Sequence, residues 1–78
     1  MNKNNKAIIY TKPLCGYCTA SKNLMTNKGI EIEERYLDSP ESIQKFITEH
    51  PEKRSMPQIW IDDEYVGGYD ALKTKLLS

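Results

Sequence analysis

Thr11-Lys12-Pro13-Leu14-Cys15-Gly16-Tyr17-Cys18 is the stretch that decides how this chain is read. It holds both cysteines of the 78-residue sequence, three positions apart. Upstream, Ala7-Ile8-Ile9-Tyr10-Thr11 has the short apolar, β-branched character of a buried strand. Downstream, residues 19–28 read as a helix. A Cys-x-x-Cys at a strand-to-helix turn is suited to thiol–disulfide exchange. One thiolate attacks a disulfide, and the second lies close enough to resolve the mixed disulfide that forms. Cys15 falls at the helix N-terminus, where free N–H groups and the positive end of the macrodipole favour an anion. Such placement lowers a thiol from about 8.5 to roughly 3.5–7.5. Lys12 adds a nearby positive charge. Cys18, one turn further in, gains less and is expected to be less exposed.

Two other readings of the pair stand beside this one. As a structural disulfide it would close a very short loop, and cross-linking stabilises less as the loop shortens. As half of a zinc site it lacks ligands, since only the remote His50 joins the two cysteines against a usual set of three or four.

Eleven basic and eleven acidic side chains cancel to zero formal net charge. That balance argues against a dedicated nucleic-acid or membrane-surface binder, which would carry a basic excess. No run is long and apolar enough for a bilayer span. Met1-Asn2-Lys3-Asn4-Asn5-Lys6 is polar and precedes no long apolar run, so it does not read as a signal peptide. The expectation is a single domain over residues 1–78, with 1–5 disordered, in the cytoplasm, where a cysteine pair stays reduced and works as a catalyst.

The remaining chain punctuates clearly. Tyr17, Ala20 and Leu24, with Met25 beside them, suggest the inner face of the first helix, and Gly29 suits its C-terminal end. Residues 30–36 alternate around Ile30 and Ile32 as a second strand. In Asp38-Ser39-Pro40-Glu41, Ser39 can cap, Pro40 fits the first helical position and Glu41 the first turn. Ile43, Phe46 and Ile47 follow at helical spacing, and His50-Pro51 ends the pattern, with His50 expected in solvent. Two short strands, Gln58–Ile61 and Glu64–Gly67, turn at Asp62-Asp63, and a closing helix runs over Tyr69–Leu77 with Leu72 and Leu76 inward. Trp60 should pack under a helix. The order strand, helix, strand, helix, strand, strand, helix predicts an α/β domain. Its sheet is small, mixed and four-stranded (βαβαββα), with a right-handed parallel βαβ start, an antiparallel hairpin and three flanking helices.

Three segments together resemble glutaredoxins. They are Thr11-Lys12-Pro13-Leu14-Cys15-Gly16-Tyr17-Cys18, then Ser55-Met56-Pro57-Gln58-Ile59-Trp60-Ile61, then Gly67-Gly68-Tyr69-Asp70-Ala71-Leu72. The likeness runs from about residue 7 to 77 without an insertion. It implies a thioredoxin-like fold and glutathione-dependent reduction of protein disulfides and protein–glutathione mixed disulfides. Cys15 would be the nucleophile, Cys18 the resolving thiol and Pro57 a cis proline facing them. The backbone of Met56 would pair, strand-like, with the cysteinyl part of glutathione. Lys12 and Gln44 would bind the glycyl carboxylate. Tyr69 and Asp70, opening the last helix, would hold the γ-glutamyl end. Tyr17 would pack beside the mixed disulfide. Gln44 also fits an ordinary solvated helix face, Lys12 a surface lysine, and Asp70 a helix cap.

The chain departs from the common family pattern in three places. Gly16 stands where many dithiol members have proline, Ser55-Met56 replaces Thr-Val, and Tyr69 occupies the position of a frequent extra cysteine. The resemblance also suggests disulfide-containing protein substrates, ribonucleotide reductase among them, and a monomer. Two rival roles come with it. One is a carrier of a [2Fe–2S] cluster, bridged between two chains by Cys15 of each and two glutathiones, with Gly16 as its motive. The other is a hydrogen donor reduced by thioredoxin reductase. No metal site beyond that cluster is expected.

Overall fold

The computed structural model describes residues 5–77. The disorder expected at the N-terminus falls almost wholly outside them. The elements follow the expected order: β1 (Lys6–Thr11), α1 (Gly16–Asn27), β2 (Glu31–Tyr36), α2 (Pro40–Glu49), β3 (Gln58–Ile61), β4 (Glu64–Gly67) and α3 (Tyr69–Leu77). They form one four-stranded sheet in the order β2-β1-β3-β4. β1 pairs parallel with β2, with Ile9 opposite Glu34, and antiparallel with β3, with Ile9 opposite Ile59. β3 and β4 form the antiparallel hairpin. Its turn residues Asp62 and Asp63 both take left-handed φ, 52° and 68°, which short acidic side chains tolerate better than most.

Alternation along β1 sorts the two faces. Ala7 and Ile9 point to a core completed by Met25 of α1, Ile59 and Ile61 of β3, and Leu72 of α3, with Leu76 packed at its margin. Tyr10 points the other way, where its ring meets Phe46 of α2 at 4.6 Å and Trp60 at 5.6 Å. α1 and α3 therefore cover one face, and α2 covers part of the other. Four residues tie the chain together near the cysteines, since Cys18, Leu37, Phe46 and Met56 form a second buried cluster there.

Local chemistry explains the element ends. Ser39 caps α2 through a reciprocal pair: its Oγ accepts the Ser42 N–H at 3.1 Å, and the Ser42 hydroxyl accepts the Ser39 N–H at 3.2 Å. Gly29 follows α1 at φ +75°, a conformation any side chain would strain. Gly67 sits at φ +119°, and a Cβ there would lie 3.2 Å from Ala71 Cβ, so α3 can turn tightly off β4 only over a glycine.

Two expectations need correction, on the inner face of α1 and on His50. Helix α1 begins at Gly16 with Cys15 as its N-cap, so the helix N-terminus stands at Cys15 as expected, and the helical stretch read over residues 19–28 extends back over Gly16–Cys18. Its inner face is Cys18, Ser21 and Met25, whereas Tyr17 is 66% exposed and Ala20 and Leu24 are only half-buried. The stripe is rotated because a buried serine does not register as apolar. His50 is half-buried, not solvated, with its ring 4.6 Å from Phe46 and 5.9 Å from Trp60.

Candidate active site

Pro13 and Leu14 carry the chain from the end of β1 to Cys15, the N-cap of α1. The Cys15 backbone is extended (φ −118°, ψ 99°), which swings its side chain over the helix end. The Cys18 N–H donates to Cys15 Sγ at 3.2 Å. The sulfur thus takes the place that a serine or aspartate oxygen takes in an ordinary cap. A thiolate at this atom would receive a charge-assisted bond and the helix dipole together.

The two cysteines are joined as a disulfide, with Cα atoms 5.3 Å apart. Cys15 is half-buried and open to one side, while Cys18 is 3% exposed and packs under Leu37 and Phe46. The structure thus separates the pair into an accessible sulfur and a sheltered one. Across from them the Met56–Pro57 peptide bond is cis, and the Met56 carbonyl oxygen lies 3.7 Å from Cys15 Sγ.

Grooves flank the disulfide on both sides. One, of about 240 Å³, is lined by Tyr17, Ser55, Met56, Pro57, Gly68, Tyr69 and Asp70. It gathers five of the residues named from the resemblance: Tyr17, Met56, Pro57, Tyr69 and Asp70. Tyr17 and Tyr69 stack with ring centroids 5.4 Å apart at 23°, so α1 and α3 share its wall. Asp70 lies in the first turn of α3, exposed, and the Leu72 N–H donates to the Gly68 carbonyl at 3.0 Å. The other groove, about 370 Å³, brings Lys12 beside Cys15 and Cys18, with Lys22, Glu34 and Tyr36 on its far side. Gln44 lines neither. It is exposed on α2, and its amide reaches Thr48 of the same helix at 3.4 Å.

Two polar devices behind the site escaped the sequence reading. Gln58 is 5% exposed; its amide donates to the Ser55 carbonyl at 2.7 Å, and the Tyr65 hydroxyl donates to its side-chain oxygen at 2.6 Å. This pins the Ser55-Met56-Pro57 loop to the hairpin. The second device is Thr11, 1% exposed, whose hydroxyl donates to Glu34 at 2.7 Å while Lys22 Nζ lies 3.0 Å from the same oxygen. The Thr11 bond first, and Lys22 second, hold the Glu34 carboxyl below the usual carboxylate range. Nothing in the sequence flagged either, because a polar residue in a strand usually faces water. Among the described residues, no three His, Cys, Asp or Glu side chains cluster as a metal site.

A half-open N-cap cysteine paired with a sheltered one, on a small mixed sheet with three helices, defines a thioredoxin-like protein with a Cys-x-x-Cys redox centre. The glutaredoxin family model matches residues 7–66, and the chain belongs to the glutaredoxin family, a family of thiol–disulfide oxidoreductases. It is 40% identical over 67 residues to glutaredoxin 1 of Rickettsia conorii, covering 83% of this chain and 66% of that one, so it spans just under two thirds of that relative. The crystal structure of glutaredoxin 1 from Francisella tularensis, complexed with cacodylate, is similar at TM-score 0.79 and 32% identity, covering 91% of each chain. A buckwheat glutaredoxin–glutathione complex shares the fold at TM-score 0.75 and 23% identity, covering 91% of this chain and 67% of that one.

Proposed function

We propose that this chain is a dithiol glutathione–disulfide oxidoreductase: a single-domain monomer that acts in the cytoplasm on disulfide-containing proteins, ribonucleotide reductase among them, and on protein–glutathione mixed disulfides. The observation that carries the reading is the asymmetry of the pair, an accessible N-cap Cys15 sulfur receiving the Cys18 N–H and a Cys18 that is 3% exposed.

With a glutathionylated protein, the Cys15 thiolate attacks the glutathione sulfur. A Cys15–glutathione disulfide forms and the protein thiolate leaves. A second glutathione thiolate then attacks the bound glutathione sulfur, releasing oxidised glutathione and restoring Cys15. With a protein disulfide, Cys15 captures one protein sulfur and expels the other. The Cys18 thiolate then attacks Cys15 Sγ, which closes the Cys15–Cys18 disulfide and frees the reduced protein. Two glutathiones reopen that disulfide in turn. Shelter of Cys18 keeps it from competing for substrate, while its position one turn from Cys15 keeps it within reach.

Glutathione would lie across the two grooves. Its cysteinyl backbone would pair with Met56 beside Pro57, its γ-glutamyl end would meet the start of α3 at Tyr69 and Asp70, and Tyr17 would cover the sulfur. Lys12 would take the glycyl carboxylate from the other side. Gln44 would join it only by releasing Thr48, so its share is the smaller one. Turnover of the mixed disulfide of glutathione and 2-mercaptoethanol, driven by glutathione, tests the proposal. Saturation in glutathione supports it, and activity only with thioredoxin reductase favours the hydrogen-donor role.

A second reading draws on Gly16. A Cβ built there meets nothing within 4 Å, so the glycine leaves open space beside Cys15. Cys15 of two chains with two glutathione thiolates would provide the four sulfurs a [2Fe–2S] cluster needs. Anaerobic reconstitution giving a coloured dimer, lost in Cys15→Ser, supports it, and a colourless monomer rejects it.

A further inference from the structure

We infer that Leu14 is a docking residue that selects protein substrates carrying an apolar side chain next to the reacting cysteine. The inference deepens the oxidoreductase reading above and rests on it. Leu14 is the most exposed large hydrophobic residue among those described, at 104%, and it belongs to neither core cluster. Its backbone sits at φ +57°, in the left-handed region that disfavours a leucine. Glycine or asparagine would make the same turn with less strain. The fold gains no burial from the side chain and bears its strain.

Its place gives that side chain a use. Leu14 immediately precedes Cys15 and rims the Lys12 groove, where Tyr36, 53% exposed, is the other large apolar surface. It lies away from the Tyr17–Tyr69 groove, none of whose lining it forms. When a protein sulfur bonds to Cys15 Sγ, its neighbours in sequence follow within about 3.8 Å per residue. A residue flanking the substrate cysteine must therefore come down beside Cys15, where the fully exposed leucine stands. An apolar flanking side chain would be desolvated against Leu14 and Tyr36. A polar one would be desolvated without a matching partner. A small mixed disulfide has no such flank and makes no demand on Leu14.

The test uses two peptides closed by a disulfide, so that a peptide sulfur bonds to Cys15, with the cysteines flanked by leucine in one and serine in the other, plus the small glutathione–mercaptoethanol disulfide. We expect the wild type to turn over the leucine peptide with kcat/KM roughly fivefold or more above the serine peptide, because full burial of a leucine is worth over tenfold. Leu14→Asn keeps the left-handed turn and removes the apolar surface, so the ratio should fall to near one. Leu14→Gly, which relaxes the turn, should lose the preference equally. Leu14→Met should retain most of it. A wild type that turns over all three without preference, or a Leu14→Asn protein that keeps the preference, overturns the inference and leaves the oxidoreductase reading intact. A wild type inactive on all three refutes both.

Discussion

Replacing Leu72 by alanine should loosen one whole wall of the site. Leu72 is fully buried and is the residue through which α3 joins Ile9, Met25 and Ile59 in the main core. Leu-to-Ala changes in cores cost about 2–5 kcal/mol, rising with the cavity left behind. The neighbours here belong to β1, β3 and α1, which hydrogen bonding holds in place, so collapse is limited and we expect about 3–4 kcal/mol. At roughly 2.1 cal/mol/K per residue, 78 residues unfold with an entropy near 0.16 kcal/mol/K, so Tm should drop by about 20 °C. Domains hold only about 5–15 kcal/mol in total, so the variant stays folded at 25 °C with a much thinner margin. The same substitution frees the α3 start, so the Michaelis constant for glutathione should rise more than kcat falls. Leu72→Met, which conserves volume, should cost under about 1.5 kcal/mol. Urea unfolding followed by circular dichroism on the oxidised protein measures both. A Leu72→Ala protein within about 1 kcal/mol of wild type, roughly the worth of one helix cap, would show that α3 is held by something else.

Other outcomes follow from the same geometry. Lys12→Ala and Asp70→Ala should each raise the apparent glutathione Michaelis constant severalfold in steady-state assays, whereas Gln44→Ala should change it less, since its amide already has Thr48. Ser39→Ala removes one half of a reciprocal cap and should lower stability by about 1 kcal/mol, or about 6 °C in Tm. Thr11→Val should expose a pH dependence. The Glu34 carboxyl is held low by the Thr11 hydroxyl and then Lys22, so its contribution is present above the ordinary carboxylate pKa and is lost as pH falls through the folded value. The stability gap between wild type and Thr11→Val, measured by urea titration, should therefore be widest near neutrality and narrow in acid.

Much of this molecule is legible in the sequence, for reasons that differ from element to element. Ser39-Pro40 and Gly29 mark helix ends by side-chain and backbone chemistry that depends on local sequence alone, and both stand where expected. β1, β3 and the Asp62-Asp63 turn are similarly local, which fixes the order of the elements. The start of α1 is legible too, since the spacing of the cysteines after β1 puts Cys15 at the helix N-terminus even though Gly16 is a weak helix former. The inner stripe of α1 is not: Ser21 is buried at 0% exposure, and no hydropathy pattern puts a serine there. His50 finds its aromatic neighbours only once β3 lies under α2. In the site, Cys15 and Cys18, three positions apart, were readable from spacing and resemblance. Gln58 and the Thr11–Glu34 pair were not, since each acts through a partner on another element. For Gln44 the sequence leaves two readings open, a glutathione contact and a solvated helix face, and the fold exposes it on α2 beside Thr48.

The division of labour between the two cysteines is the centre of this account, and Cys18→Ser tests it most directly. The measurement is the rate at which that variant, with glutathione, deglutathionylates a protein and reduces a protein disulfide, each against wild type and Cys15→Ser. Cys18→Ser should keep the first activity, because glutathione resolves the Cys15 mixed disulfide, and should lose most of the second. Cys15→Ser should lose both. Equal loss of the two activities in Cys18→Ser, or any turnover surviving in Cys15→Ser, would contradict the assignment of an accessible nucleophile and a sheltered resolving thiol.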